Sequence, residues 1–96
     1  MTDSAEYDKI NEAIVRFLHS SWSKETEGEI EQAYGVDVAV KVRTVYDEAI
    51  HCPVDWRTAT MDSALDTLAE FLPARFPWLT PDAKTRLNYA YIMVWK

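Results

Sequence analysis

The densest run of chemistry-bearing side chains is acidic. Glu25, Glu27, Glu29, Glu31 and Asp37 follow one another with no lysine or arginine between positions 25 and 37. On a helix, Glu25 and Glu29 fall on one face and Glu27 and Glu31 on another, because residues four apart are neighbours. The result is a broad negative patch. Such a patch suits docking of a basic protein, where charge speeds encounter and selects the partner. It equally suits a solvated surface that keeps a domain soluble.

Aromatic side chains come second. Trp22, Trp56, Trp78 and Trp95 are four tryptophans in 96 residues. Tryptophan is enriched where one end of the ring is buried and the other meets a polar partner, and at interface hot spots. The run Arg75-Phe76-Pro77-Trp78-Leu79 reads as a rigid, exposed recognition surface. The plainer alternative is that these rings cap the ends of a small core.

His51 and Cys52, with Asp55 nearby, invite a nucleophilic or metal reading. The spacing works against it. Adjacent residues in an extended segment point apart, so His51 does not naturally activate Cys52. His19 could approach only through a tertiary contact. The plainer reading is one buried thiol and two satisfied histidines. No ligand motif supports a metal, and no cofactor is expected. The sequence holds no glycine-rich phosphate loop, no Gly-x-Ser-x-Gly elbow and no His-Glu-x-x-His pair.

Composition narrows the class. The net charge is −6, and residues 1–50 carry all of it, with 11 acids against 5 bases. Residues 51–96 hold 5 of each. Nucleic acid and anionic membrane are repelled by the first half, and a basic partner is attracted. One cysteine forms no internal disulfide and rules out an all-cysteine zinc site. A lone thiol, an acidic start without an export signal and no membrane-length apolar run point to the cytoplasm. Only two glycines, Gly28 and Gly35, argue against an all-β fold.

The elements that must position these groups are helical. Asp3 is the expected cap of a first helix over Ser4 to Ser20, with Tyr7, Ile10, Ile14, Phe17 and Leu18 on its apolar face. Ser23 caps a second helix over Lys24 to Tyr34. Its apolar face is thin (Ile30, Ala33, Tyr34), Gly28 weakens it, and Gly35 ends it in a left-handed conformation. This is the expected least stable element. Residues 36–43 alternate Val36, Val38, Val40, Val42 like a strand. However, Val38, Val42, Val45, Tyr46 and Ala49 keep helical period to Ile50, and no second strand exists to pair with. A helix capped by Asp37 and closed by Pro53 is therefore favoured over the strand.

A fourth helix starts between Asp55 and Thr60 and ends at Leu72 before Pro73, with the stripe Met61, Leu65, Leu68 and Leu72. Thr80, Pro81 and Asp82 form the best helix start in the chain. The last helix is apolar around much of its circumference and is expected at the centre of the packing, with its end docked.

The reading is a single all-α domain over residues 1–96, a bundle of four main helices plus one short one. The function that fits is a non-catalytic interaction module, of inhibitor, immunity-type or adaptor character. It binds a basic protein through Glu25, Glu27, Glu29, Glu31, Arg75, Phe76 and Trp78, and neither nucleic acid nor membrane. Reversing Glu27 and Glu31 is expected to slow association. The alternative is a small enzyme or ligand- or metal-binding domain built on His51, Cys52 and neighbouring residues, with Asp55 or His19 as further candidates. Self-association through the apolar last helix is compatible with either.

Overall fold

The computed structural model describes residues 2–18, 22–52, 54–55 and 57–95, with side chains described from Glu6 onward. The chain forms α1 (Thr2–Phe17), α2 (Lys24–Tyr34), α3 (Val36–Ile50), α4 (Met61–Arg75) and α5 (Pro81–Trp95), with no strand among the described residues. The all-α bundle with one short helix is therefore the architecture.

Helical period settles residues 36–50. Val38, Val42, Val45, Tyr46 and Ala49 are all buried, while Val36 and Val40 are 60% and 57% exposed. A strand would have put the four alternating valines on one face. The helix splits them, because only the positions three and four apart reach the core.

Caps explain most boundaries. The Ser23 side chain accepts from the Thr26 N–H at 3.1 Å, and the Thr80 hydroxyl accepts from the Ala83 N–H at 3.2 Å. Thr60 and Ser63 bond reciprocally, each side chain accepting the other's backbone N–H, which fixes the start of α4.

Four expected boundaries move. α1 already includes Thr2, so Asp3 lies in its first turn instead of capping it. It ends at Phe17, with Leu18 already outside the helix, short of the expected Ser20, which itself lies outside the described residues. Gly35 occupies the cap position of α3, which places Asp37 inside the first turn, where its charge favours the helix dipole. α3 does stop at Ile50, where the helical period ends, with His51 closing it; Pro53, expected to close it, lies outside the described residues. α4 runs through Pro73 to Arg75. Proline removes the bond to the Ala69 carbonyl, but Ala69 and Pro73 both face solvent, where water can serve that oxygen. Burial of Leu72 and Phe76 carries the last turn past the proline, and the Phe76 N–H reaches the Leu72 carbonyl at 2.7 Å.

Gly35 is the whole link between α2 and α3. Its φ is 100° and its ψ is 166°, so φ is positive as expected, but ψ is extended rather than left-handed helical. That region is open to glycine almost alone. Its N–H donates to the Glu31 carbonyl at 2.8 Å, so one residue ends α2 and starts α3. A Cβ would meet nothing within 4 Å at either glycine, so what sets Gly35 apart from Gly28 is its positive φ.

The five helices share one core. Ile10, Ile14, Leu18, Ile30, Val42, Leu68, Leu72, Leu87 and Tyr91 are its largest fully buried side chains. α3, not α5, is the hub: it packs on every other helix, whereas α5 packs on α1, α3 and α4. The apolar surplus of α5 lies partly in solvent, with Tyr89 55% and Met93 48% exposed. The end of α5 is docked, since Trp95 Nε1 donates to the Ile50 carbonyl at 2.8 Å. No helix among the described residues is long and apolar enough to cross a membrane.

Candidate functional site

α2 packs only on α1 and α3. Its one fully buried side chain is Ile30, and Ala33, expected on the apolar face, is exposed. Tyr34 ties its end to α1: the phenol donates to Glu12 Oε1 at 2.7 Å and accepts from Arg16 Nη1 at 3.2 Å. Burial, and then the bond to Glu12, hold that phenol above the ordinary tyrosine range.

The four α2 glutamates divide into two pairs. Glu25 and Glu29 are exposed and form no ion pair among the described residues. Glu27 and Glu31 turn toward α3 and line a groove of 480 Å³ with Trp22, Gly28, Lys24 and Arg43. Glu27 is engaged there, accepting from Trp22 Nε1 at 3.3 Å and pairing with Arg43 at 3.5 Å. Trp22 in turn packs on Tyr46, with ring centroids 5.9 Å apart.

A second groove, of 530 Å³, lies between α1, α3 and the connection that follows α4. Its apolar lining is Tyr7, Ile10, Val45, Phe76, Pro77 and Trp78, and its charged lining is Glu6, Lys41 and Arg75. Trp78 stacks on Tyr7 with centroids 4.5 Å apart and planes 5° from parallel, and Phe76 meets Trp78 edge-on at 5.8 Å. Arg75 lies over the Phe76 ring at 5.4 Å and forks onto Glu48 through Nε at 2.6 Å and Nη2 at 3.4 Å. Lys41 pairs with Glu6.

The connection is not the freely exposed surface expected from sequence. Phe76 and Leu79 are buried, Trp78 is half-buried, and only Arg75 and Pro77 stand out in solvent. The rings cap the core and still wall a groove. Asn11 holds them there. This side chain, 6% exposed, donates to the carbonyls of Tyr7 and Trp78 at 3.0 Å each and accepts from the Thr80 N–H at 2.9 Å.

The two candidate surfaces do not merge into one. α2 touches neither α4 nor α5. Arg43 lines the α2 groove, whereas Lys41, Thr44 and Val45 line the aromatic one. Steps of two residues on a helix lie on nearly opposite sides. The aromatic beside the acidic helix is thus Trp22, and Arg75, Phe76 and Trp78 belong to a separate site.

His51 and Cys52 are not brought together as a reactive pair. His51 is exposed, with its Nδ1 2.7 Å from the Asp47 carbonyl oxygen, while Cys52 is buried. Burial pushes the Cys52 thiol above its ordinary value, away from the thiolate. Asp55 is occupied by the backbone and side chain of Arg57. His19 and Trp56 lie outside the described residues, and no cluster able to hold a metal ion occurs among the described ones.

Comparison with known protein families, with curated proteins and with solved structures finds no match.

Sequence reasoning missed Tyr7, Lys41 and Asn11 as parts of a site. Asn11 did leave a signal. It falls at helical spacing inside the stripe Tyr7, Ile10, Ile14, Leu18, where a polar residue must find buried partners. Lys41 left none, since only the tertiary fold sets it beside the connection.

Proposed function

We propose that the protein is a non-catalytic interaction module whose α2 docks a basic surface of another protein. The division of the α2 carboxylates carries the reading. Glu25 and Glu29 stand in solvent with no ion pair among the described residues, free to meet an incoming cation. The chain's net charge of −6, all in its first half, extends that attraction beyond contact range. Reversal is therefore aimed at Glu25 and Glu29, because Glu27 also serves the fold through Trp22 and Arg43. A cytoplasmic setting goes with the reading, because a reducing compartment suits the single thiol.

The test is affinity capture from lysate at low and high salt, followed by association rates with the captured partner. A basic partner should be retained at low salt and released at high salt. The double variant Glu25→Lys, Glu29→Lys should slow association about tenfold or more. Capture indifferent to salt and to both reversals would sink the proposal.

The competing enzyme reading makes its own demand. Cys52 should react with iodoacetamide at neutral pH far more slowly in the native protein than in the unfolded chain. A native thiol that reacts as fast as the unfolded one would restore His51 and Cys52 as candidates.

A further inference from the structure

We infer that the aromatic groove between α1, α3 and the connection is a binding site for a small aromatic carboxylate. The inference stands apart from the α2 reading, since the two grooves share no lining residue.

Size and preorganisation come first. The volume of 530 Å³ falls in the range of small-molecule sites. The walls are set before any ligand arrives: Asn11 pins the Trp78 carbonyl and the Thr80 N–H, and Trp78 lies flat on Tyr7. A ligand entering walls already in place loses little to ordering them. The exposed parts of the half-buried Tyr7 and Trp78 rings suit a planar ring.

The polar complement selects the charge. In a chain of net charge −6, this groove gathers two cations, Lys41 and Arg75, against one carboxylate, Glu6. With Glu48, onto which Arg75 forks from outside the lining, the cations and carboxylates balance, so the groove is less negative than the chain around it. Lysine, arginine and tryptophan side chains can only donate hydrogen bonds. Arg75 spends Nε and Nη2 on Glu48, which leaves Nη1 unspent. Lys41 has three N–H donors, and Glu6 is its one ion-pair partner among the described residues. Trp78 Nε1 and the Tyr7 hydroxyl donate to no protein atom among the described residues. Both cations are at least half exposed (57% for Arg75, 50% for Lys41), so their existing pairs are weak and an incoming carboxylate can share them. The groove thus offers donors and ring faces, and a ligand must bring an acceptor with negative charge and a flat apolar body.

The experiment titrates the labelled full chain with naphthalene-2-carboxylate and, separately, with the neutral naphthalene-2-carboxamide, and follows backbone and indole N–H resonances by NMR. The carboxylate should shift the Trp78 indole and the Val45 and Phe76 amides, with Kd on the order of 1 mM or tighter. The carboxamide should bind about tenfold more weakly. Lys41→Gln and Arg75→Gln should each weaken carboxylate binding about three- to tenfold, in proteins that keep the parent spectrum elsewhere. Glu25→Lys, Glu29→Lys should leave this Kd within about twofold, which separates the inference from the α2 proposal. Equal binding of carboxylate and carboxamide would overturn it. So would an unchanged Kd in the Lys41→Gln, Arg75→Gln double variant, shifts confined to α2, or preference for an acidic peptide over the small carboxylate.

Discussion

On one flank of α3, α2 is fully helical and well capped, yet it buries one side chain, Ile30, and touches only α1 and α3. On the other flank, Phe76 to Thr80 has no regular structure. Yet Phe76 and Leu79 are buried, Trp78 is stacked on Tyr7, and Asn11 binds the segment at two backbone groups. Regular secondary structure and firm attachment are different properties. A helix satisfies its own backbone and can lie lightly on a neighbour. An irregular segment must find outside partners for its N–H and C=O groups, and those partners fasten it. The helix that buries one side chain presents the exposed carboxylates, and the fastened segment builds the groove.

The sharpest way to break this comparison is at Asn11. Asn11→Ala leaves the Thr80 N–H and the Trp78 carbonyl without their buried partner, at an expected cost of about 3 kcal/mol. Urea denaturation measures it, and loss of the near-ultraviolet signal of the Tyr7–Trp78 stack reports where the damage falls. A cost under about 1 kcal/mol would mean that water replaces the amide and that the connection is held by its rings alone.

Ile30→Ala puts the same question to the other flank. The deletion opens a cavity under α2 and should cost about 2 kcal/mol, within the range for a buried isoleucine. The expected pattern matters more than the size. Hydrogen exchange should quicken along α2 while α1, α3, α4 and α5 keep their protection. Uniform loss of protection would show that α2 is integral to the cooperative unit.

The difference between the flanks also explains what could be read from residues alone. α2, with Ser23 as cap and Gly35 as stop, is legible because caps and period are local. So are the start of α5 at Thr80 and the helical period of α3. The valine alternation at 36–42 is resolved by Ala49 and Ile50, a turn or two further on. Pro73 and Asp37 mislead for one reason: local preference is overruled, at Pro73 by burial of Leu72 and Phe76, and at Asp37 by a glycine turn that starts the helix two residues sooner. Of the aromatic groove, Arg75, Phe76 and Trp78 stand out by type. Tyr7, Lys41 and Asn11 come from elements far away in sequence; the Asn11 bonds span 67 and 69 residues. Spacing rules carry no information across such distances.

The smallest expected effects lie within α2, where the two glutamate pairs should part company. Glu27 accepts from Trp22 Nε1 and pairs with Arg43, so Glu27→Lys replaces attraction with repulsion toward Arg43 and leaves the indole N–H without its acceptor. A loss of about 1 kcal/mol is expected. Glu25 and Glu29 have no such partners among the described residues, so reversing both should change stability by about 0.5 kcal/mol or less, most of it from Glu25 in the first turn, where a negative charge favours the helix dipole. The two substitutions have opposite signatures: reversal at Glu27 registers in the denaturation midpoint, and reversal at Glu25 and Glu29 registers in association with a basic partner. If the Glu25, Glu29 variant is destabilised as much as the Glu27 variant, the outer carboxylates belong to the fold rather than to a partner. The distinction between a helix with outward-facing carboxylates and a fastened groove would then fail on the α2 side.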